Sequence, residues 1–116
     1  MRILIVEDEY LVATEIAELL TSAGHAVVGI AGSADQFIRL LEECPCELAI
    51  LDANLAGSSI SPVASALERR AIPFVVVSGY AQRELLLPLR KAPFVPKPVR
   101  KSDLLEAVNS ICSEKA

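Results

Sequence analysis

Several absences narrow what this sequence can be. No apolar run approaches the ~20 residues needed to cross a bilayer. The opening Met1-Arg2-Ile3-Leu4-Ile5-Val6-Glu7-Asp8 turns acidic too soon for a signal peptide, so a soluble, cytoplasmic protein without membrane insertion is expected. Basic clusters are missing as well. Fifteen acidic against eleven basic residues leave a net charge of −4, the wrong sign for a surface that must neutralise nucleic-acid phosphates, and direct nucleic-acid binding is not expected. Three cysteines, an odd number, give no disulfide framework. Cys44-Pro45-Cys46 invites a metal reading, but a second pair is lacking and His25 is the single histidine, whereas zinc needs four ligands. The cysteines read as buried or half-buried thiols of a reduced compartment, and His25, after Gly24, as a solvated turn residue. There is also no Gly-x-x-x-x-Gly-Lys-Ser/Thr loop, and no Gly-x-Gly-x-x-Gly after the first strand, to cradle a nucleotide.

What is present is a core. With 116 residues, 53% apolar and 22% charged, residues 1–116 are expected to form one compact domain, with no room for a DNA-binding output domain. Residues 2–6 are a continuous apolar run, as in a strand covered on both faces. Val12, Ile16, Leu19, Leu20 and Ala23 then recur at helical spacing, with Glu15, Glu18 and Thr21 between them, and stop at Gly24. Residues 26–31 predict a second strand. Ser33 and Gln36 have capping-box spacing and open a helix that buries Phe37, Leu40, Leu41 and Cys44. Residues 47–51 make a third strand that ends at Asp52. Ser61-Pro62 reads as an N-cap with proline at the first helical position, opening a short helix to about Arg70. Residues 73–77 predict the fourth strand and Phe94-Val95 a short fifth. Ser102 caps a last helix with Leu104, Leu105, Val108, Ile111 and Cys112 on one face.

Strands alternating with helices through short loops imply right-handed crossovers and an α/β fold. The expectation is a flavodoxin-like (βα)5 three-layer sandwich whose parallel five-stranded sheet runs in the order 2-1-3-4-5. Ligands of such sheets sit beyond the carboxyl ends of the strands where the order reverses, here between strands one and three.

Strand one ends in Glu7-Asp8-Glu9, strand three in Asp52, strand four in Ser78-Gly79, and strand five runs into Lys97-Pro98. A parallel sheet opens all four places onto one rim. Two carboxylates ~5 Å apart at an effective dielectric of ~20 repel by about 3 kcal/mol, and Glu7, Asp8 and Asp52 make three such pairs. One lysine does not offset that, whereas a hard divalent cation such as Mg²⁺ does. Asp52 can then act as a nucleophile toward a phosphorus atom whose oxygens are held by Mg²⁺, Lys97 and the Ser78 hydroxyl. A strand-end Asp is often only a turn residue, and acids before a helix often only complement its dipole. Matching features at four strand ends favour the chemical reading.

Val6-Glu7-Asp8-Glu9, Leu51-Asp52-Ala53-Asn54-Leu55, Val77-Ser78-Gly79-Tyr80 and Phe94-Val95-Pro96-Lys97-Pro98 resemble, in order and spacing, the motifs of the CheY-like receiver domain of two-component response regulators. The resemblance implies Asp52 as phosphoacceptor, with Mg²⁺ held by Glu7, Asp8, Asp52 and the backbone carbonyl of Asn54. It implies Ser78 and Lys97 as phosphoryl ligands, Phe94 as the aromatic that packs inward when Ser78 is drawn toward the phosphoryl group, and a cis Lys97-Pro98 peptide. It further implies a histidine kinase or histidine phosphotransfer protein as donor, a downstream protein partner, and a monomer or weak dimer. Asn54 and Tyr80 are expected to flank the path of attacking water, and the bulky Tyr80 to slow hydrolysis of the phosphoryl group. Pro88 would break a helix between strands four and five, so a short or irregular fourth helix is expected there, as in some stand-alone stress-response receivers. Of Leu85, Leu86 and Leu87, one or two are expected to face the core and the rest to form a docking surface.

Two other functions compete. A phosphorylation-independent receiver-like adaptor would not require the full residue set. A haloacid-dehalogenase-type phosphatase would need a general acid two residues after its nucleophile, where Asn54 stands, so no turnover enzyme is expected.

Overall fold

The computed structural model describes residues 1–55, 60–79 and 92–115, with side chains to Cys112. Five strands, β1 (Arg2–Val6), β2 (Ala26–Ala31), β3 (Leu48–Asp52), β4 (Phe74–Ser78) and β5 (Phe94–Pro96), form one parallel sheet in the order β2-β1-β3-β4-β5. The described helices are α1 (Tyr10–Ser22), α2 (Ala34–Glu43), α3 (Ser61–Arg69) and α4 (Lys101–Lys115). The expected flavodoxin-like parallel sheet, in the order 2-1-3-4-5, is therefore observed, with four helices among the described residues. The expected short or irregular helix before β5 falls mostly on residues 80–91, which lie outside the described residues together with Tyr80, Pro88 and the Leu85–Leu87 triplet.

Continuous apolar strands are explained by burial on both faces. Leu4, Val6, Ala49, Leu51, Phe74 and Val76 join Phe37 and Leu41 of α2 and Val63 and Leu67 of α3 in one core. The alternate residues, Ile3, Ile5, Leu48, Ile50, Val75, Val77 and Val95, join Ile16 and Leu20 of α1 and Leu104, Val108 and Ile111 of α4 in the other. This period of two carries into the site. Extrapolated past the strand ends, Glu7, Asp52 and Lys97 share the parity of the α1/α4 face, whereas Ser78 and Phe94 share that of the α2/α3 face. At the lower end of β2 the register slips, Ile3 pairing with Val27 and Leu4 with Gly29. A Cβ on Gly29 would stand 2.9 Å from Leu4 Cδ2, so glycine lets the two strands close there.

Helix ends follow local chemistry, with some departures from the sequence reading. Ser33 caps α2 by accepting from the Gln36 N–H (3.2 Å), while the Gln36 side chain accepts from the Gly32 N–H (2.9 Å) rather than from Ser33 itself. Ser61 is not the N-cap of α3. The N–H groups of Val63 and Ala64 both bond the Ile60 carbonyl, which makes Ile60 the cap and moves Ser61-Pro62 into the first turn. Ser102 likewise lies inside α4, because the Leu104 N–H bonds the Arg100 carbonyl at 3.0 Å and closes the first turn earlier.

Two helices end in the same motif. In α1, Gly24 N–H bonds Thr21 O and His25 N–H bonds Leu20 O; in α3, Ala71 N–H bonds Glu68 O and Ile72 N–H bonds Leu67 O. Both motifs need a left-handed residue, filled by Gly24 at φ 92° and by Ala71 at φ 56°. Ala23 sits at the cap with φ −90° and ψ 6° and is exposed rather than part of the buried stripe. His25 is half-buried rather than solvated. The Ala26 N–H to Met1 carbonyl bond (2.9 Å) brings its ring to the start of β1, Nδ1 lying 3.2 Å from the Met1 amine. Burial, then that amine, lowers the His25 pKa. Cys44, Cys46 and Cys112 are free, half-buried thiols.

Candidate functional site

The buried polar side chains among the described residues are Glu7, Asp52 and Ser78, and all three lie at the carboxyl rim of the sheet. Apolar strands carry them there: β1 delivers Glu7 one residue past its end, while β3 and β4 terminate at Asp52 and Ser78. Buried charge is costly unless paired or bound to metal. The pairing cation is Lys97, whose Nζ stands 3.0 Å from Glu7 Oε1 and 3.4 Å from Asp52 Oδ1. The Lys97 N–H bonds the Ser78 carbonyl (2.9 Å) and the next peptide, Lys97-Pro98, is cis.

The turn after β3 organises the acceptor. Asn54 N–H donates to Asp52 Oδ1 (2.9 Å), and Ala53 N–H donates to the Val77 carbonyl (3.0 Å), drawing this turn against the end of β4. As a result the Asn54 side chain reaches Ser78, Nδ2 to Oγ 3.4 Å. Phe94 is half-buried, packs on the α2/α3 core and pairs in register with Val76, diagonal to Ser78 on the same face of the sheet.

One positive charge does not neutralise this rim. Ligand oxygens of Glu7, Asp8 and Asp52 lie within 4.8 Å of one another, Asp8 exposed and the other two buried. Burial first, and then the neighbouring Asp52 carboxyl, push the Glu7 pKa up to about 7 against the downward pull of Lys97. For Lys97, burial alone would lower the pKa, but hydrogen bonding to Glu7 and the charges of both carboxylates outweigh it and raise the pKa. Asp52 Oδ2 is buried with no hydrogen-bond partner among the described residues, and Glu7 Oε1 receives no directed hydrogen bond beyond its ion pair with Lys97. A buried Asp52 oxygen without a donor among the described residues, the Glu7 carboxylate and the exposed Asp8 form a donor set of hard oxygens, and they fit a divalent cation of the Mg²⁺ type.

The structure thus brings Glu7, Asp8, Asp52, Asn54, Ser78 and Lys97 to one rim, with Phe94 behind Ser78. Tyr80 lies outside the described residues. The sequence reading did not single out the wall beside Lys97, a cleft of about 370 Å³ lined by Glu9, Val12, Glu15, Pro98 and Val99 with Lys97 itself. The spacing of Glu9, Val12 and Glu15 along one side of α1 was the signal available for it.

A doubly wound parallel sheet in the order 2-1-3-4-5 with an acidic rim at its carboxyl edge defines a flavodoxin-like fold class. Residues 3–109 match the response regulator receiver domain family, and the chain belongs to that family. It is 32% identical over 111 residues to the transcriptional regulatory protein PdtaR of Mycobacterium tuberculosis, which covers 92% of this chain and 54% of PdtaR. The crystal structure of the anti-anti-sigma factor PhyR from Bartonella quintana superposes with a TM-score of 0.78 at 30% identity, over 94% of this chain and 45% of that one. A CheY-like receiver domain protein from Methanospirillum hungatei gives a TM-score of 0.80 at 27% identity, over 97% of this chain and 94% of its own. The chain spans about half the length of the curated PdtaR it matches. Receiver domains typically bind Mg²⁺ through an acidic pocket, and Glu7, Asp8 and Asp52 form such a cluster here. No described helix is long and apolar enough to cross a membrane.

Proposed function

We propose that this receiver is a phosphoacceptor switch in which Asp52 takes a phosphoryl group from a phosphohistidine on a histidine kinase or phosphotransfer protein. The observation that carries the proposal is the convergence of every buried polar side chain among the described residues on one rim, with Lys97 between two of them.

Glu7, Asp8, Asp52 and the Asn54 carbonyl would hold Mg²⁺, which supplies charge neutralisation of the phosphoryl oxygens. The Asn54 N–H fixes the Asp52 carboxylate through Oδ1, while Oδ2 has no donor among the described residues. A carboxylate oxygen forms the new O–P bond as the P–N bond of the phosphohistidine breaks, its electron pair leaving with the imidazole. Lys97, kept protonated by its carboxylate neighbours, donates N–H to a phosphoryl oxygen. The Ser78 hydroxyl donates to another, and its movement lets Phe94 pack inward from its half-buried position. The changed surface then binds or releases a protein partner. The description of B. quintana PhyR as an anti-anti-sigma factor supports protein contacts, rather than nucleic acid, as the output.

Incubation with acetyl phosphate and Mg²⁺ should add the mass of one phosphoryl group at Asp52, prevented by EDTA and by Asp52→Ala. Absence of Mg²⁺-dependent modification would favour the phosphorylation-independent adaptor.

A further inference from the structure

Asn54 touches both ends of the switch. Its backbone N–H holds Asp52 Oδ1 at 2.9 Å, and its side-chain amide meets Ser78 Oγ at 3.4 Å. Ser78 is fully buried, at 0% exposure, so its hydroxyl exchanges no hydrogen bond with bulk water, and its orientation is set by the groups that reach it. The contact survives reversal of the amide, because a hydroxyl donates to Oδ1 as readily as it accepts from Nδ2. At 3.4 Å it also stands at the outer limit of hydrogen-bond range, so a displacement of the hydroxyl by about 1 Å breaks it.

We infer that the Asn54 side chain is a positioning latch: it retains the Ser78 hydroxyl in the resting state and so sets how readily the receiver switches. This rests on the phosphoacceptor reading and adds a regulatory residue to it. The latch opposes the movement of Ser78 toward a phosphorylated Asp52. The tightness of the resting state therefore depends on an amide that itself makes no bond to phosphorus. The work of release is the scale of one neutral side-chain hydrogen bond, so removing the amide should raise the switched population of the free protein by about fivefold. Linkage carries the same factor into the apparent affinity for any group that binds only the switched state. Substitution to alanine keeps the backbone N–H used by Asp52 and the carbonyl offered to a cation, so the side-chain role is isolated.

The test uses the full chain with Mg²⁺ and beryllofluoride as the phosphoryl mimic, in wild type, Asn54→Ala, Ser78→Ala and the double variant. Apparent affinity is read by titration, and resting populations from where the Ser78 and Phe94 NMR resonances lie between their free and saturated positions. Asn54→Ala should tighten beryllofluoride binding about fivefold and move free-state resonances toward the saturated position. In the Ser78→Ala background, where there is no hydroxyl to hold, it should change neither. An unchanged affinity in Asn54→Ala, or an equal change in both backgrounds, overturns the latch and leaves the phosphoacceptor reading standing. Failure of wild type itself to bind beryllofluoride with Mg²⁺ overturns both.

Discussion

Replacing Asp52 with asparagine should stabilise the metal-free protein at pH 8, although it removes the residue on which the proposed chemistry depends. The substitution forfeits the attraction between Lys97 and Asp52, whose atoms are 3.4 Å apart, worth about 5 kcal/mol at an effective dielectric of ~20. It also removes repulsion from Glu7 and Asp8, whose oxygens lie within 4.8 Å, worth at least about 3.5 kcal/mol each and about 7 together on the same scale. The balance favours asparagine by about 2 kcal/mol, before counting the relief of desolvating a carboxylate. For a domain of this size that is roughly 5–10 °C in melting temperature. At pH 5.5 Glu7, whose pKa is pushed up to about 7, already carries a proton. One repulsion is then absent in wild type, and the advantage should vanish or change sign by about 1 kcal/mol. Saturating Mg²⁺ should stabilise wild type more than the variant, because the variant has lost a ligand. Thermal melts followed by circular dichroism, in EDTA and in Mg²⁺ at both pH values, test this. An Asp52→Asn protein less stable than wild type in EDTA at pH 8, or the same difference at both pH values, would refute the electrostatic account of the rim.

The same charges yield further expectations. Lys97→Met leaves Glu7 and Asp52 facing each other without their cation, and with Lys97 itself 20% exposed the cost should be at the low end of a broken buried pair, about 3 kcal/mol by urea denaturation at pH 8 in EDTA. Glu7 has a folded pKa raised from 4.5 to about 7. Its contribution to stability is therefore fully present below pH 4.5 and is lost as pH rises through about 7, so unfolding midpoints in EDTA should fall between pH 5 and pH 8 and recover with Mg²⁺. Glu7→Gln should abolish that slope. At the helix ends, a Cβ on Gly24 meets nothing within 4 Å among the described residues, so Gly24→Ala should cost about 1 kcal/mol through backbone conformation. Ala71→Gly, at φ 56°, should gain about 0.5 kcal/mol in the same assay, strain relief exceeding the added freedom of the unfolded chain.

The layered fold was legible because its signals are local and repeated. Apolar runs such as Ile3–Val6 and Val75–Val77 are buried on both faces, and helical spacing picks out Ile16, Leu20, Phe37 and Leu41 for the core. The site was legible because a parallel sheet sends every strand end to one rim, so Asp52, Ser78 and Lys97 could be placed together without knowing a single distance. What sequence does not carry is the last few ångströms. That Lys97 sits nearer Glu7 (3.0 Å) than Asp52 (3.4 Å) has no counterpart in residue spacing. The contact between Asn54 and Ser78 exists because the Ala53 N–H reaches the Val77 carbonyl across strands, a non-local bond with no sequence period. Helix starts at Ser61 and Ser102 were displaced for the opposite reason. Serine signals a cap, but the first hydrogen-bonded turn had already closed on Ile60 and Arg100. Ala71 gave no sign of a left-handed residue, since alanine adopts one only where the surrounding helix end imposes it.

A crystal structure grown with Mg²⁺ and beryllofluoride tests the central claim most directly. Beryllium should be bonded to an Asp52 carboxylate oxygen, its fluorines meeting Ser78 Oγ and Lys97 Nζ, with Mg²⁺ among Glu7, Asp8, Asp52 and the Asn54 carbonyl. Crystals saturated with both ligands that show neither at Asp52, or that show Mg²⁺ held elsewhere with Lys97 still bridging Glu7 and Asp52, would contradict it.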